Sequence, residues 1–196
     1  FIILRWRNRL GRKTGHEGKI PTAFDEKKFE NYKPPEKTKP LADTGPEGDE
    51  KKDFLKGAEI AYETIITAFA NGDKEKLVKL LTKEMKINFD QAIEEREKHG
   101  ITSELTFIGF KDSNIEKFEK IKNEFFATVK FVSEIISVKK DGNNKVIEGN
   151  SNKIKTVTDY WKFSKKTSSQ DPNWFLSEII SKWKKKEEIS KKNKKI

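Results

Sequence analysis

A chain of 196 residues can hold one ordinary domain with appendages, and with 33% hydrophobic against 38% charged residues it supports one modest core and long solvated ends. A net charge of +10 makes anionic partners, phospholipid or nucleic acid, electrostatically favoured wherever the cations cluster. The lack of cysteine excludes disulfides and thiolate chemistry. Two histidines leave a metal site only carboxylates to draw on, so neither metal nor cofactor is expected.

At the N-terminus, Phe1, Ile2, Ile3 and Leu4 run into Arg5, Trp6, Arg7, Arg9, Arg12 and Lys13. Apolar residues, an interfacial aromatic and then cations is the order in which a transmembrane helix leaves the bilayer on its cytoplasmic side. Four apolar residues cannot span a core that needs about 20. Residues 1–17 are therefore expected to be a basic membrane-proximal arm that contacts anionic phospholipid through those six residues or continues an upstream helix. From residue 18 to 52, Pro21, Pro34, Pro35, Pro40, Pro46, Gly45 and Gly48 interrupt a stretch without apolar periodicity, which reads as a disordered linker.

Asp53 is a candidate N-cap for an amphipathic helix in which Phe54, Leu55, Ala58, Ala61, Tyr62, Ile65, Ile66 and Phe69 recur every three or four residues up to Asn71-Gly72. Asp73 can cap a short second helix presenting Leu77, Leu80 and Leu81. A third, presenting Ile87, Phe89, Ala92 and Ile93, ends at Gly100. Lys98 and His99 in its last turn suit the helix dipole, which gives His99 a capping role rather than a catalytic one.

Beyond Gly100 the period shortens toward two, and strands are expected over residues 105–120 with a break near Asp112, 124–139, 153–165 and 173–182. Phe125, Ala127, Val129, Phe131 and Ile135 share one face of the second; Val157, Asp159, Trp161 and Phe163 share a face of the third. Asp141-Gly142-Asn143-Asn144 and Asp171-Pro172-Asn173 carry turn chemistry. The fold class is α+β, with N-terminal helices packed on a curved four-stranded antiparallel sheet over residues 53–182. A carboxylate such as Asp159 among apolar neighbours is costly unless hydrogen-bonded, so it is either paired or at a wet strand end. Phe54, Tyr62, Phe125, Phe131, Asp159, Trp161 and Trp174 are the candidates for core or pocket lining. Residues 183–196 form a lysine-rich basic tail.

Four sequence words in order carry a family resemblance: Val129-Lys130-Phe131-Val132-Ser133-Glu134-Ile135-Ile136-Ser137, Val146-Ile147-Glu148-Gly149-Asn150, Val157-Thr158-Asp159-Tyr160-Trp161-Lys162-Phe163 and Asp171-Pro172-Asn173-Trp174-Phe175-Leu176. They resemble the C-terminal domain of the Tim forty-four family, the scaffold of the mitochondrial presequence translocase and its bacterial relatives. Arg9-Leu10-Gly11-Arg12-Lys13-Thr14-Gly15-His16-Glu17 resembles the segment that follows the transmembrane helix in bacterial members. The resemblance implies a fold similar to nuclear transport factor two, with a large apolar pocket between helices and sheet. It implies cardiolipin-type lipid and translocase or membrane-biogenesis proteins as partners, without catalysis, at the inner membrane's cytoplasmic face (or the matrix face of a mitochondrion). Two other functions stand beside it. A pocket enzyme would use Glu134 or Asp159 as base; an RNA- or ribosome-binding module would interleave aromatics with lysine, whereas here the strand aromatics alternate with small or apolar residues.

Overall fold

The computed structural model describes residues 45–171 and 173–180. Three helices, α1 (Gly48–Asn71), α2 (Lys74–Val78) and α3 (Lys83–Lys98), precede five strands, β1 (Thr102–Ile121), β2 (Glu124–Lys140), β3 (Val146–Gly149), β4 (Lys155–Lys166) and β5 (Phe175–Ile180). The strands form one antiparallel sheet in the order β1-β2-β4-β5, and the short β3 pairs with the far end of β2. The fold is thus α+β with helices on one face of an open sheet, and β3 is added to the four strands expected.

Helix α1 starts at Gly48, five residues ahead of the expected cap Asp53, so residues 48–52 of the expected linker are helical. Asp49 and Glu50 in its first turn oppose the positive end of the helix dipole. The helix stops at Gly72, whose φ of 71° is the left-handed conformation of a C-cap. The Asp73 carboxylate accepts from the Lys76 amide at 3.0 Å and caps α2 as expected; that bond holds it below the usual carboxylate range. Thr82 caps α3. One residue of α3 is misplaced by periodicity: Ile87 is 56% exposed, and the buried face is Met85, Phe89, Ile93 and Arg96. The Arg96 guanidinium reaches back to the Phe69 carbonyl at 3.0 Å and covers the Phe69 ring, closing the end of α1 on α3.

Strand β1 is long and pairs only with β2, and its register slips three times, between Phe107 and Gly109, Phe110 and Asp112, and Ile115 and Lys117. These bulges bend and twist the sheet; the break expected near Asp112 is one of them. On β2, every second residue from Phe125 to Ile135 is buried, Ser133 included, and Val157, Asp159, Trp161 and Phe163 answer from β4. The free edge of β5 is partly closed by the α2–α3 connection, since Leu176 donates to Leu80 and accepts from Thr82 at 2.8 and 3.0 Å.

Candidate functional site

The concave face of the sheet and the inner face of α1 meet at Tyr62. Helical spacing brings Tyr62 onto the stripe of Ala58, Ile65, Ile66 and Phe69, and its ring lies 4.5 Å from that of Trp161 and 4.6 Å from that of Phe131. Tyr62, Phe131 and Trp161 are at most 1% exposed, so rings fill the middle of the concavity. At these residues the apolar space implied by the resemblance is occupied by the chain's own side chains.

One polar group sits inside this apolar packing. Tyr62 Oη donates to Asp159 Oδ2 at 2.6 Å and lies 3.0 Å from Ser133 Oγ. Asp159 is 1% exposed, which settles the two options left open for it: it is paired, not wet. Burial pushes the Tyr62 phenol far above its ordinary pKa, and the adjacent Asp159 charge pushes the same way. The phenol is therefore held as a donor. Trp161 Nε1 is buried with no hydrogen-bond partner among the described residues, so this ring is fixed by packing alone.

The remaining pocket-or-core candidates gather at the β1–β2 hairpin end. Phe54 and Trp174, both half-buried, meet edge to face with centroids 5.1 Å apart. Phe118 bridges Trp174 and Phe125 at 6.3 and 5.7 Å. Gly45, with φ of 100°, packs on this cluster, because a Cβ there would stand 2.8 Å from Phe118 Cγ. Ser133 and Phe118 stand outside the sequence candidates, and Gly45, expected to be a residue of the disordered linker, instead packs on Phe118. A serine within a buried stripe could have suggested a polar partner for Asp159; nothing local marks the Gly45–Phe118 contact.

The opposite, convex face carries Lys130, Glu134 and Lys162, and ion pairs balance it: Lys111–Glu134 at 2.7 Å, Lys130–Asp112 at 3.1 Å and Lys162–Glu178 at 3.2 Å. Glu134 is thus engaged by a lysine on the surface, and Asp159 by Tyr62 in the core. Those two were the candidate bases, and they lie on opposite faces of the sheet. A polar cleft of 410 Å³ between the start of α3 and the convex face is lined by Glu84, Glu124 and Glu178 together with Lys83, Lys162 and Ser164. Among the described residues no three His, Cys, Asp or Glu side chains are grouped to hold a metal.

Charge is divided unevenly along the chain. Residues 45–180 hold 23 Lys and Arg against 24 Asp and Glu, so the domain is close to neutral. Residues 1–44 and 181–196 hold the other 19 basic and 8 acidic residues, and with them the whole surplus. The predicted lipid-contact residues Arg5, Trp6, Arg7, Arg9, Arg12 and Lys13, and the basic tail, lie outside the described residues. No described helix is long and apolar enough to cross a membrane.

A family model for the Tim44-like domain matches residues 46–181. No curated protein matches the chain. Among solved structures, the intermembrane space region of the chloroplast protein ARC6 is 14% identical and is aligned over 69% of this chain and 99% of that one, with a TM-score of 0.44. A de novo designed β-sheet protein is 15% identical over 66% of this chain and 87% of its own, with a TM-score of 0.29.

Proposed function

This chain belongs to the Tim44-like domain family, and on that premise we propose that it is a membrane-associated, non-catalytic scaffold in protein translocation or envelope biogenesis. In this reading the terminal segments hold anionic, cardiolipin-like phospholipid, and the folded domain faces a protein partner at the cytoplasmic side of an inner membrane. The observation that carries the reading is the charge partition: a domain with 23 cations and 24 anions, joined to segments with 19 and 8. A neutral domain is not drawn to an anionic bilayer by its net charge, whereas each Lys or Arg near such a surface contributes about 1 kcal/mol. Arg5, Trp6, Arg7, Arg9, Arg12 and Lys13 are the proposed lipid contacts.

The engagement of Glu134 by Lys111 and of Asp159 by Tyr62 supports the non-catalytic reading, because neither carboxylate stands free to act as a base. The reading is tested by sedimenting the chain with neutral and with cardiolipin-containing vesicles. Binding to the anionic vesicles alone, weakened by salt, is expected. Equal binding to both would remove the anionic-lipid contact, and binding to neither would remove the membrane role.

A further inference from the structure

The domain surface carries one triplet twice. Lys120-Ile121-Lys122 forms the tip of the β1–β2 hairpin, and Lys153-Ile154-Lys155 leads into β4. Ile121 is 50% exposed and Ile154 52%; of the five exposed large apolar residues among the described residues, only these two have lysine on both sides. They lie toward opposite ends of the sheet, since Ile121 pairs with Glu124 at the start of β2, while Lys155 pairs with Ile135 eleven residues later. An exposed branched side chain between two lysines suits a lipid surface, because the apolar group can enter the interface while the ammonium groups stay at headgroup depth. Composition alone does not say which triplet would do so.

The attachment point of the N-terminal segment separates them. Residues 1–44, with eleven Lys and Arg, join the domain at Gly45, and Gly45 is seated on Phe118, three residues from Ile121. The β4–β5 hairpin adds Lys165 and Lys166 beside this tip, pairing with Phe125 and Glu124, and the Thr167 amide donates to the Asn123 carbonyl at 2.9 Å. Acids share this end: Glu124, Asp171, and at the start of α1 Glu47, Asp49, Glu50 and Asp53, in the same stretch as Lys51, Lys52 and Lys56; Lys52 pairs with Asp49 at 3.1 Å and, on β1, Lys117 pairs with Glu119 at 2.8 Å. Charge at this end is therefore nearly balanced, and its distinguishing features are the exposed isoleucine and its place near Gly45, where residues 1–44 join the domain.

We propose that the β1–β2 hairpin tip, Lys120-Ile121-Lys122, is the part of the folded domain that lies against an anionic phospholipid surface, with Ile121 entering the interface. The inference rests on the membrane reading above and adds an orientation to it. One isoleucine and two lysines contribute too little to hold the chain alone; the arm keeps the tip at high local concentration over the bilayer, so a weak contact is enough to set the pose.

The chain has no cysteine, so Ile121→Cys and Ile154→Cys in the full chain each give one site for an environment-sensitive fluorophore. With vesicles of phosphatidylcholine and cardiolipin, emission from position 121 is expected to shift to the blue and rise several-fold, while position 154 stays as in buffer. Because a dye can itself drive insertion, unlabelled Ile121→Glu and Ile154→Glu are compared at limiting lipid, and only the first should lower the bound fraction several-fold. A response at 154 alone, at both sites or at neither, in a chain that still sediments with vesicles, overturns the orientation and leaves the membrane reading standing. A chain that does not sediment overturns both.

Discussion

Tyr62 Oη donates to Asp159 Oδ2 at 2.6 Å, which ties the middle of α1 to the middle of β4 through a core that is otherwise aromatic and aliphatic. The two residues are 97 positions apart in sequence, and Ser133 on β2, 3.0 Å away, makes the tie three-cornered. A buried hydrogen bond to a carboxylate contributes about 1.5–3 kcal/mol, and breaking it from one side costs more than removing both partners. Tyr62→Phe leaves the carboxylate in an apolar core and is expected to lower stability by about 2–4 kcal/mol. Adding Asp159→Asn to Tyr62→Phe should cost less than the sum of the single changes. Chemical denaturation of the two single variants and the double variant measures that coupling.

The same contact gives the chain a limit on the alkaline side. Burial raises the Tyr62 pKa, so the folded chain holds this proton more tightly than the unfolded chain, where a tyrosine titrates near 10. The stabilisation is whole below about pH 10 and is lost progressively as pH rises beyond it. Absorbance at 295 nm is expected to show Tyr62 ionising only when the fold is lost. The difference between the chain and its Tyr62→Phe variant isolates this tyrosine from the other two.

Gly149 closes β3 onto β2 with φ of 89°, and a Cβ there would stand 2.0 Å from the Ser137 carbonyl oxygen. Gly149→Ala should therefore undo the β2–β3 pairing and the Lys139–Glu148 ion pair, with a loss of about 1–3 kcal/mol. Gly109→Ala is the matched control. It has an ordinary φ, and nothing lies within 4 Å of its added Cβ. Amide exchange over Val146–Gly149 distinguishes the two, rising only in the Gly149 variant.

At the hairpin end, Phe54 and Trp174 meet edge to face, and neither is fully buried. Trp174→Ala is expected to destabilise by about 2–3 kcal/mol, less than a fully buried tryptophan would cost. The loss should be smaller when Phe54 is already alanine, since the pair is worth roughly 0.5–1.5 kcal/mol beyond its burial. Thermal melts of the single and double variants measure this.

The residues that made the architecture legible are those with strong periodicity. Ala58 to Phe69 on α1 and Phe125 to Ile135 on β2 announce their buried faces, and Asp159, read as paired or wet, proves paired because β4 places it opposite Tyr62. What stayed hidden has physical reasons. Residues 48–52, Gly-Asp-Glu-Lys-Lys, have no apolar side chain to show a period, yet their acids suit a helix start. Strand β3 has four residues and two apolar side chains, too few for a pattern. Ile87 fits the apolar spacing but faces water, because α3 buries only one narrow stripe, against Phe69 of α1 and against α2 and β5. The Gly45–Phe118 contact joins residues 73 apart, and no local rule predicts it.

Whether the membrane affinity resides in the terminal segments or in the folded domain is measured most directly by comparing the full chain with residues 45–180 alone. The shorter chain keeps the Gly45–Phe118 contact and all five strands, and it should melt cooperatively. In sedimentation with cardiolipin-containing vesicles, the full chain is predicted to bind and to be released by 0.5 M salt (roughly a 4 Å screening length), while the shorter chain stays in the supernatant. A shorter chain that sediments as well as the full one would place the lipid affinity in the neutral domain and contradict the account.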